Sequence, residues 1–427
     1  MDKIPKGTRD SLPEIERLRQ ALIAECEKQF LLYNATRMDT PTFEIYSTLM
    51  EKHDNDENMK EVYVLENKNN NGEKCALRYD LSVPFSRYTK TNRVSEMRRY
   101  QIGKVFRRDN PSPGRYREFY QCDYDCLGDN IEWATDAETL SLLNKILTIF
   151  KNKYNLPDYT IRINSREILF DMLEACGIPK ELFIPTCILI DKLDKCEWNI
   201  IVPQLEEKGL TQESIEKLEI ILRNNNVQTQ SEHRSLSDYN IDFVKKETKE
   251  KMEKILEYLS DLPVVLDLKI ARGLNYYTGL IFEVRLENDN KLPSNISIAA
   301  GGRYDKLCSS SCVGFSLGID RILYYVSYKF ENTTKVWVIS LKSSNEEALF
   351  LYRLQIVNKL RENNISVGTD MKSCNPNKSM TRAIKANIPF IIFLGDDELN
   401  NNTVTLKNIA QKTQVTGSFE DILSLIN

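Results

Sequence analysis

The sequence predicts an α/β protein of two domains, and three observations predict it. Strand-like segments in the first part of the chain come as hairpins, the mark of an antiparallel sheet. From about 174 to 260 Lys, Glu, Leu and Ile recur at helical spacing with few strand-like runs, which reads as a helical insertion between two halves of that sheet. From about 333 to 427 short apolar runs alternate with amphipathic helices, giving a small α/β domain with a mixed sheet, while 1–329 form the larger α+β domain.

The elements follow in order. Ser11 and Glu14 have the form of a capping box, and Ile15, Leu18, Leu22, Cys26 and Phe30 keep helical spacing, so a helix covers about 12–34. Val62–Leu65 and Cys75–Leu81 read as a hairpin whose long tip holds the Asn71-Gly72 step. Within Arg78–Ser82, strand alternation puts Asp80 and Ser82 on one side, with Pro84 closing the strand. A second hairpin spans Arg98–Leu127, turning at Asn110–Gly114, and a helix follows around Thr135–Tyr154. After the insertion come strands at Val264–Leu268, Leu280–Arg285 and Ser297–Ala300. Beyond the polar link Lys329–Thr334, Val336–Ile339 and Phe390–Leu394 read as strands, and Asn345–Glu362 and Ser379–Ala386 as helices.

Composition excludes several classes of function. With 427 residues, 41% hydrophobic, 28% charged and a net charge of -4, the chain reads as soluble, with no signal or anchor and no run long enough for a membrane. Ten cysteines without a secretory signal read as reduced, buried thiols in a reducing compartment. The pairs Cys122/Cys126 and Cys308/Cys312 lack a nearby histidine and tight metal-ligand spacing, so no zinc is expected. His53 and His233, both in polar surroundings, are the two histidines, which disfavours chemistry built on histidine; nucleophile elbow, HExxH and P-loop are all absent.

The second hairpin carries seven basic residues and one acidic one before Glu118, in a chain that is slightly acidic as a whole; this chemistry is aimed at phosphate. On its second strand Gln121, Asp123 and Asp125 share one face, and Cys122, Tyr124 and Cys126 the other. Strand acids of this kind are ordinarily surface groups, and three further segments shift the balance. Ala271–Gly279 sets Arg272 before a glycine and the pair Tyr276-Tyr277. Ala300–Asp305 has a Gly-Gly step after a strand. Val313–Leu323 reads as a strand running into a helix with Arg321 in its first turn, where a cation opposes the helix dipole by roughly 0.3–1 kcal/mol unless something anionic or aromatic meets it.

Taken in order, these segments resemble the class II aminoacyl-tRNA synthetases, and within them the histidyl-tRNA synthetase family, over nearly the whole chain. PKGTRD at 5–10 resembles the N-terminal signature, TPTFE at 40–44 the end of the dimer-forming motif 1, and LRYDLSVPFSRY at 77–88 an amino-acid-binding segment. FRRDNPSPGRYREFYQCDYD at 106–125 resembles motif 2, and GFSLGIDRIL at 314–323 motif 3. ARGLNYYTG and AAGGRYD resemble the two signatures that set the histidine enzymes apart.

The resemblance implies the antiparallel class II sheet flanked by helices in a catalytic domain over 1–329, and an anticodon-binding domain over 333–427. It implies a cytoplasmic homodimer that takes ATP with Mg2+, L-histidine and tRNA(His), making histidyl-adenylate and then histidyl-tRNA. Arg107, Arg115, Arg272 and Arg321 form the ATP site, with Arg107 on the α-phosphate, Arg272 on the charge of the transition state and Arg321 on adenine and the triphosphate tail. Asp80, Ser82 and Gln121 receive the α-amino group, and Asp125 with Tyr276 and Tyr277 reads the imidazole, whose N–H donor and acceptor nitrogen a carboxylate and a phenol can both satisfy. The turn at Pro111–Arg117 meets the tRNA acceptor end. The dispersed Lys335, Lys372, Lys378, Arg382 and Lys385 suit an anticodon loop, or equally plain surface cations.

Two positions depart from the family pattern: Asn275 stands for an aspartate and Ser82 for a threonine. The rival from another class is the inactive regulatory paralogue of histidine synthesis. Arg107, Arg272, Arg321 and the C-terminal domain argue against it.

Overall fold

The computed structural model describes residues 3–50, 62–66, 72–194, 196–225, 236–287, 296–372 and 375–426. His53, His233, Cys374 and the Asn71 tip of the first hairpin lie outside the described residues. The chain divides into two compact units, Met1–Tyr328 and Lys329–Asn427.

In the first unit the strands are β1 (Thr36–Arg37), β2 (Phe43–Ile45), β3 (Cys75–Leu77), β4 (Met97–Phe106) and β5 (Glu118–Leu127). They continue with β6 (Tyr159–Ser165), β7 (Val264–Leu266), β8 (Leu280–Leu286), β9 (Ala299–Arg303) and β10 (Cys312–Gly318). Among the described residues, eight of them form one sheet in the order β1-β4-β5-β10-β9-β8-β6-β7. Its six central strands are antiparallel, while β1 and β7 join the two edges in parallel. The helical insertion lies between β6 and β7, so strands before and after it interleave in a single sheet.

Alternation along β5 sorts the two faces of this sheet. Cys122, Tyr124 and Cys126 enter the core, where Tyr124 stacks 5.8 Å from Phe30 and 5.7 Å from Phe315. The helices Pro13–Leu32 and Glu132–Tyr154 cover that face with Leu22, Cys26, Leu143 and Ile146. The opposite face of β5, with Gln121, Asp123 and Asp125, is left for a cavity. The nine described cysteines are free thiols, seven of them buried.

Four elements differ from the sequence expectation. The helix begins at Pro13 with Leu12 as its N-cap; Ser11 instead accepts from Arg19 Nη2 at 2.9 Å, a charged donor that outcompetes the capping bond. The strand at 75 stops at Leu77 and pairs mainly with β2, keeping only a bridge from Ala76 to Val64. Ser82–Asn92 is a helix, because a proline in its first turn, Pro84, gives up no hydrogen bond there and Asp80 Oδ1 accepts the Val83 N–H at 3.0 Å. Asp80 and Ser82 therefore flank a helix start rather than share a strand face. The Gly301-Gly302 step lies inside β9, since side chains there would stand 2.2 Å from the Gly314 carbonyl and 2.4 Å from the Leu280 carbonyl.

The insertion is helical as expected, with helices Phe183–Asp191, Trp198–Glu207, Gln212–Asn224 and Lys246–Tyr258. In the second unit β11 (Val336–Ser340), β12 (Val367–Thr369), β13 (Phe390–Leu394), β14 (Val404–Asn408) and β15 (Thr413–Gly417) form a mixed sheet in the order β12-β11-β13-β14-β15. Helix Glu346–Glu362 packs on one face through Ile356 and Leu360, and helix Pro376–Lys385 on the other through Ala383.

Candidate active site

All ten residues singled out in the sequence line one cavity of about 450 Å³: Asp80, Ser82, Arg107, Arg115, Gln121, Asp125, Arg272, Tyr276, Tyr277 and Arg321. They come from the hairpin β4–β5, the helix start at Ser82, the loop Ala271–Gly279 and the β10–helix junction, segments far apart in sequence that the sheet order gathers. Asn275 is exposed and is not among the lining residues.

The basic groups are held rigidly from behind. Arg107 Nε donates to the Tyr79 carbonyl at 2.9 Å, and Arg115 grips Asp109 with two bonds of 2.7 and 3.0 Å. Arg321 Nη1 donates to the Ser297 carbonyl at 2.7 Å. Arg272 Nη1 donates to Ser297 Oγ at 3.0 Å, and its Nη2 lies 2.6 Å from the buried Glu283 Oε2. Glu283 also pairs with Arg285. Burial, together with the guanidiniums of Arg107, Arg115 and Arg272, pulls Arg321 down to about 10. Four cations crowded onto one cavity repel each other, a repulsion that a bound polyanion would relieve.

The acidic side is equally preset. Gln121 Nε2 donates to Ser316 Oγ at 2.8 Å, while its buried Oε1 has no hydrogen-bond partner and is available to a ligand N–H. Burial pushes Asp123 up to about 7 against the pull of Arg99, and Asp125 up to about 6 against the same arginine. Arg99 lies directly across from Asp125 in the hairpin register, 2.6 Å away, and the Tyr304 hydroxyl donates to the other carboxylate oxygen. Tyr276 and Tyr277 pack with centroids 4.3 Å apart, and burial holds the Tyr277 phenol well above its usual range, so it stays protonated as a donor. Among the described residues no group of three or more His, Cys, Asp or Glu is placed to hold a metal ion.

A profile of the histidyl-tRNA synthetase family matches residues 7–322, and one of the anticodon binding domain matches residues 335–427. The chain belongs to the histidyl-tRNA synthetase family. It is 36% identical to a Vairimorpha ceranae protein named "Probable histidine--tRNA ligase, cytoplasmic", covering 100% of this chain and 98% of that one. It is 34% identical to the cytoplasmic histidine–tRNA ligase of Dictyostelium discoideum, covering 99% and 92%. The structure of histidyl-tRNA synthetase from Nostoc sp. PCC 7120 superposes with a TM-score of 0.75 at 25% identity, over 99% of this chain and 98% of that one. The mixed α/β architecture and the large sheet are those of the class II enzymes of this family.

Several lining residues of this histidyl-tRNA synthetase family member escaped the sequence reading. Asp123 lines the cavity between Gln121 and Asp125, the face that strand alternation gives it, although the sequence assigns it no role. Tyr79, Asp109, Tyr116, Ser316 and Asp320 also line the cavity. Glu283, a lone acid in the apolar run LIFEVRL, was the legible sign of a buried partner for an arginine. No described helix is long and apolar enough to cross a membrane.

Proposed function

We propose that the chain is a histidine–tRNA ligase. It activates L-histidine with ATP to histidyl-adenylate and pyrophosphate, then transfers the histidyl group to the 3′ end of tRNA(His). The observation that carries this reading is the convergence of four arginines with Asp80, Gln121, Asp125 and the Tyr276-Tyr277 pair on one cavity. A polyanion and a small zwitterion with a hydrogen-bonding ring fit such a site together.

In the first step a histidine carboxylate oxygen attacks the α-phosphorus of ATP as the bond to the departing pyrophosphate breaks. Arg107 and Arg272 hold the charge that builds on the α-phosphate, Arg115 grips the phosphate tail, and Arg321 packs on adenine. Mg2+ enters with ATP as part of that substrate. Asp80, Ser82 and Gln121 hold the α-ammonium group. Asp125 and a tyrosine hydroxyl take the two imidazole nitrogens, and a pocket built on such bonds rejects analogues lacking them by roughly 10⁴ to 10⁵.

In the second step the terminal ribose hydroxyl of tRNA attacks the adenylate carbonyl and AMP leaves. Pro111–Arg117 meets the acceptor end, and residues 333–427 read the anticodon with help from Lys335, Lys372, Lys378, Arg382 and Lys385, all exposed. We place the enzyme in the cytoplasm as a homodimer joined through the 40–44 segment. Charging assays with a mixed tRNA pool test this reading: labelled histidine should appear on tRNA(His) alone. Failure to charge any tRNA would overturn it.

A further inference from the structure

The segment at 5–10 plays no part in the steps above, yet it is stitched to the loop that carries Arg115. The Arg117 N–H donates to the Gly7 carbonyl at 2.8 Å, and Arg117 Nη1 to the Lys6 carbonyl at 3.4 Å. Gly7 has φ +85°, and a Cβ there would stand 2.7 Å from the Arg117 side chain and 2.9 Å from Pro111. The strap lies against the loop with no room for a side chain between them.

Two residues on, Arg9 spans two elements of the cavity wall. Its Nη1 donates to the Tyr116 hydroxyl at 2.8 Å with the guanidinium 4.1 Å from the ring centroid, and its Nη2 donates to Asp320 Oδ1 at 2.7 Å. Tyr116 and Asp320 both line the cavity. Asp320 immediately precedes Arg321, and its Oδ2 accepts the N–H of Tyr120, the neighbour of Gln121, at 2.6 Å. A planar guanidinium can satisfy a hydroxyl and a carboxylate at once, which one ammonium on a flexible stem does poorly.

We propose that Arg9 is a positioning residue for ATP: it ties the Arg115–Arg117 loop to the helix start that carries Arg321, so that both arginines meet the nucleotide in one fixed geometry. This rests on the reading that Arg115 and Arg321 bind ATP. Arg9 touches neither substrate. Its removal leaves Asp320 with Arg19 at 3.1 Å and with the Tyr120 N–H, so no buried carboxylate is stranded and the fold survives.

The test compares wild type with Arg9→Ala, Arg9→Lys and Gly7→Ala in histidine-dependent ATP/pyrophosphate exchange, with ATP affinity measured separately by equilibrium dialysis and folding checked by thermal melting. Arg9→Ala and Gly7→Ala should raise the KM and dissociation constant for ATP about tenfold while the histidine KM stays within about twofold. Arg9→Lys, keeping Asp320 and giving up Tyr116, should fall between. Equal rises in both KM values, or unchanged ATP affinity, would overturn the assignment. If wild type shows no exchange yet Arg9→Ala still loses ATP affinity, the proposed reaction fails and the role of Arg9 stands.

Discussion

Arg99 and Asp125 face each other across the β4–β5 hairpin, Nη2 to Oδ2 at 2.6 Å, and both side chains are buried. Arg99 also donates to Gln101 Oε1 at 3.2 Å and to the Leu81 carbonyl at 3.1 Å, and lies 4.3 Å from the Phe85 ring centroid. The carboxylate proposed to read the imidazole is thus aimed from behind by a buried cation that does not line the cavity.

Breaking that pair from one side strands a buried charge. Arg99→Met should therefore cost about 3–5 kcal/mol in denaturant unfolding, and adding Asp125→Asn should restore part of it. Strictly additive losses would show that the two residues do not depend on each other.

The Arg272 guanidinium is fixed by two protein groups, Glu283 and Ser297, which aim it at the cavity. Arg272→Ala should slow single-turnover adenylate formation by roughly 10² to 10³, the scale of losing an oxyanion donor, with histidine affinity changed far less. Rapid-quench measurement of the first turnover reads this directly, and a near-normal rate would remove Arg272 from the chemistry.

Asp123 gives a dependence on pH. Its folded value, about 7, stands above the ordinary 3.8 because of burial, with Arg99 lowering it and Asp125 raising it. A carboxyl raised in this direction contributes stability that is fully present below the unfolded value and is lost as pH rises through the folded one. Asp123→Asn carries no such proton. Between about pH 5 and about pH 8 the wild-type unfolding midpoint should fall relative to that of the variant. Parallel curves would place the Asp123 titration elsewhere.

The sequence was most legible where a period or a motif carried the signal. Alternation along Glu118–Leu127 separated Cys122, Tyr124 and Cys126 from Gln121, Asp123 and Asp125, and the structure keeps that separation. Strands of three residues such as Val367–Thr369 are too short to show a period, and in the seven residues Tyr159–Ser165 only Ile161 and Ile163 alternate with polar neighbours, a weak signal for a strand. Around Pro84 the residue itself misled, because proline ends a strand and opens a helix equally well. Arg9 and Asp320 meet across 311 positions of sequence, and nothing local to either one announces the other.

If one cavity binds ATP and histidine together, amino-acid-dependent ATP/pyrophosphate exchange, measured separately with each of the 20 amino acids, will show it. Exchange should appear with histidine alone. Exchange driven by a different amino acid, or by none, would mean that the cavity is not a histidine-activating site.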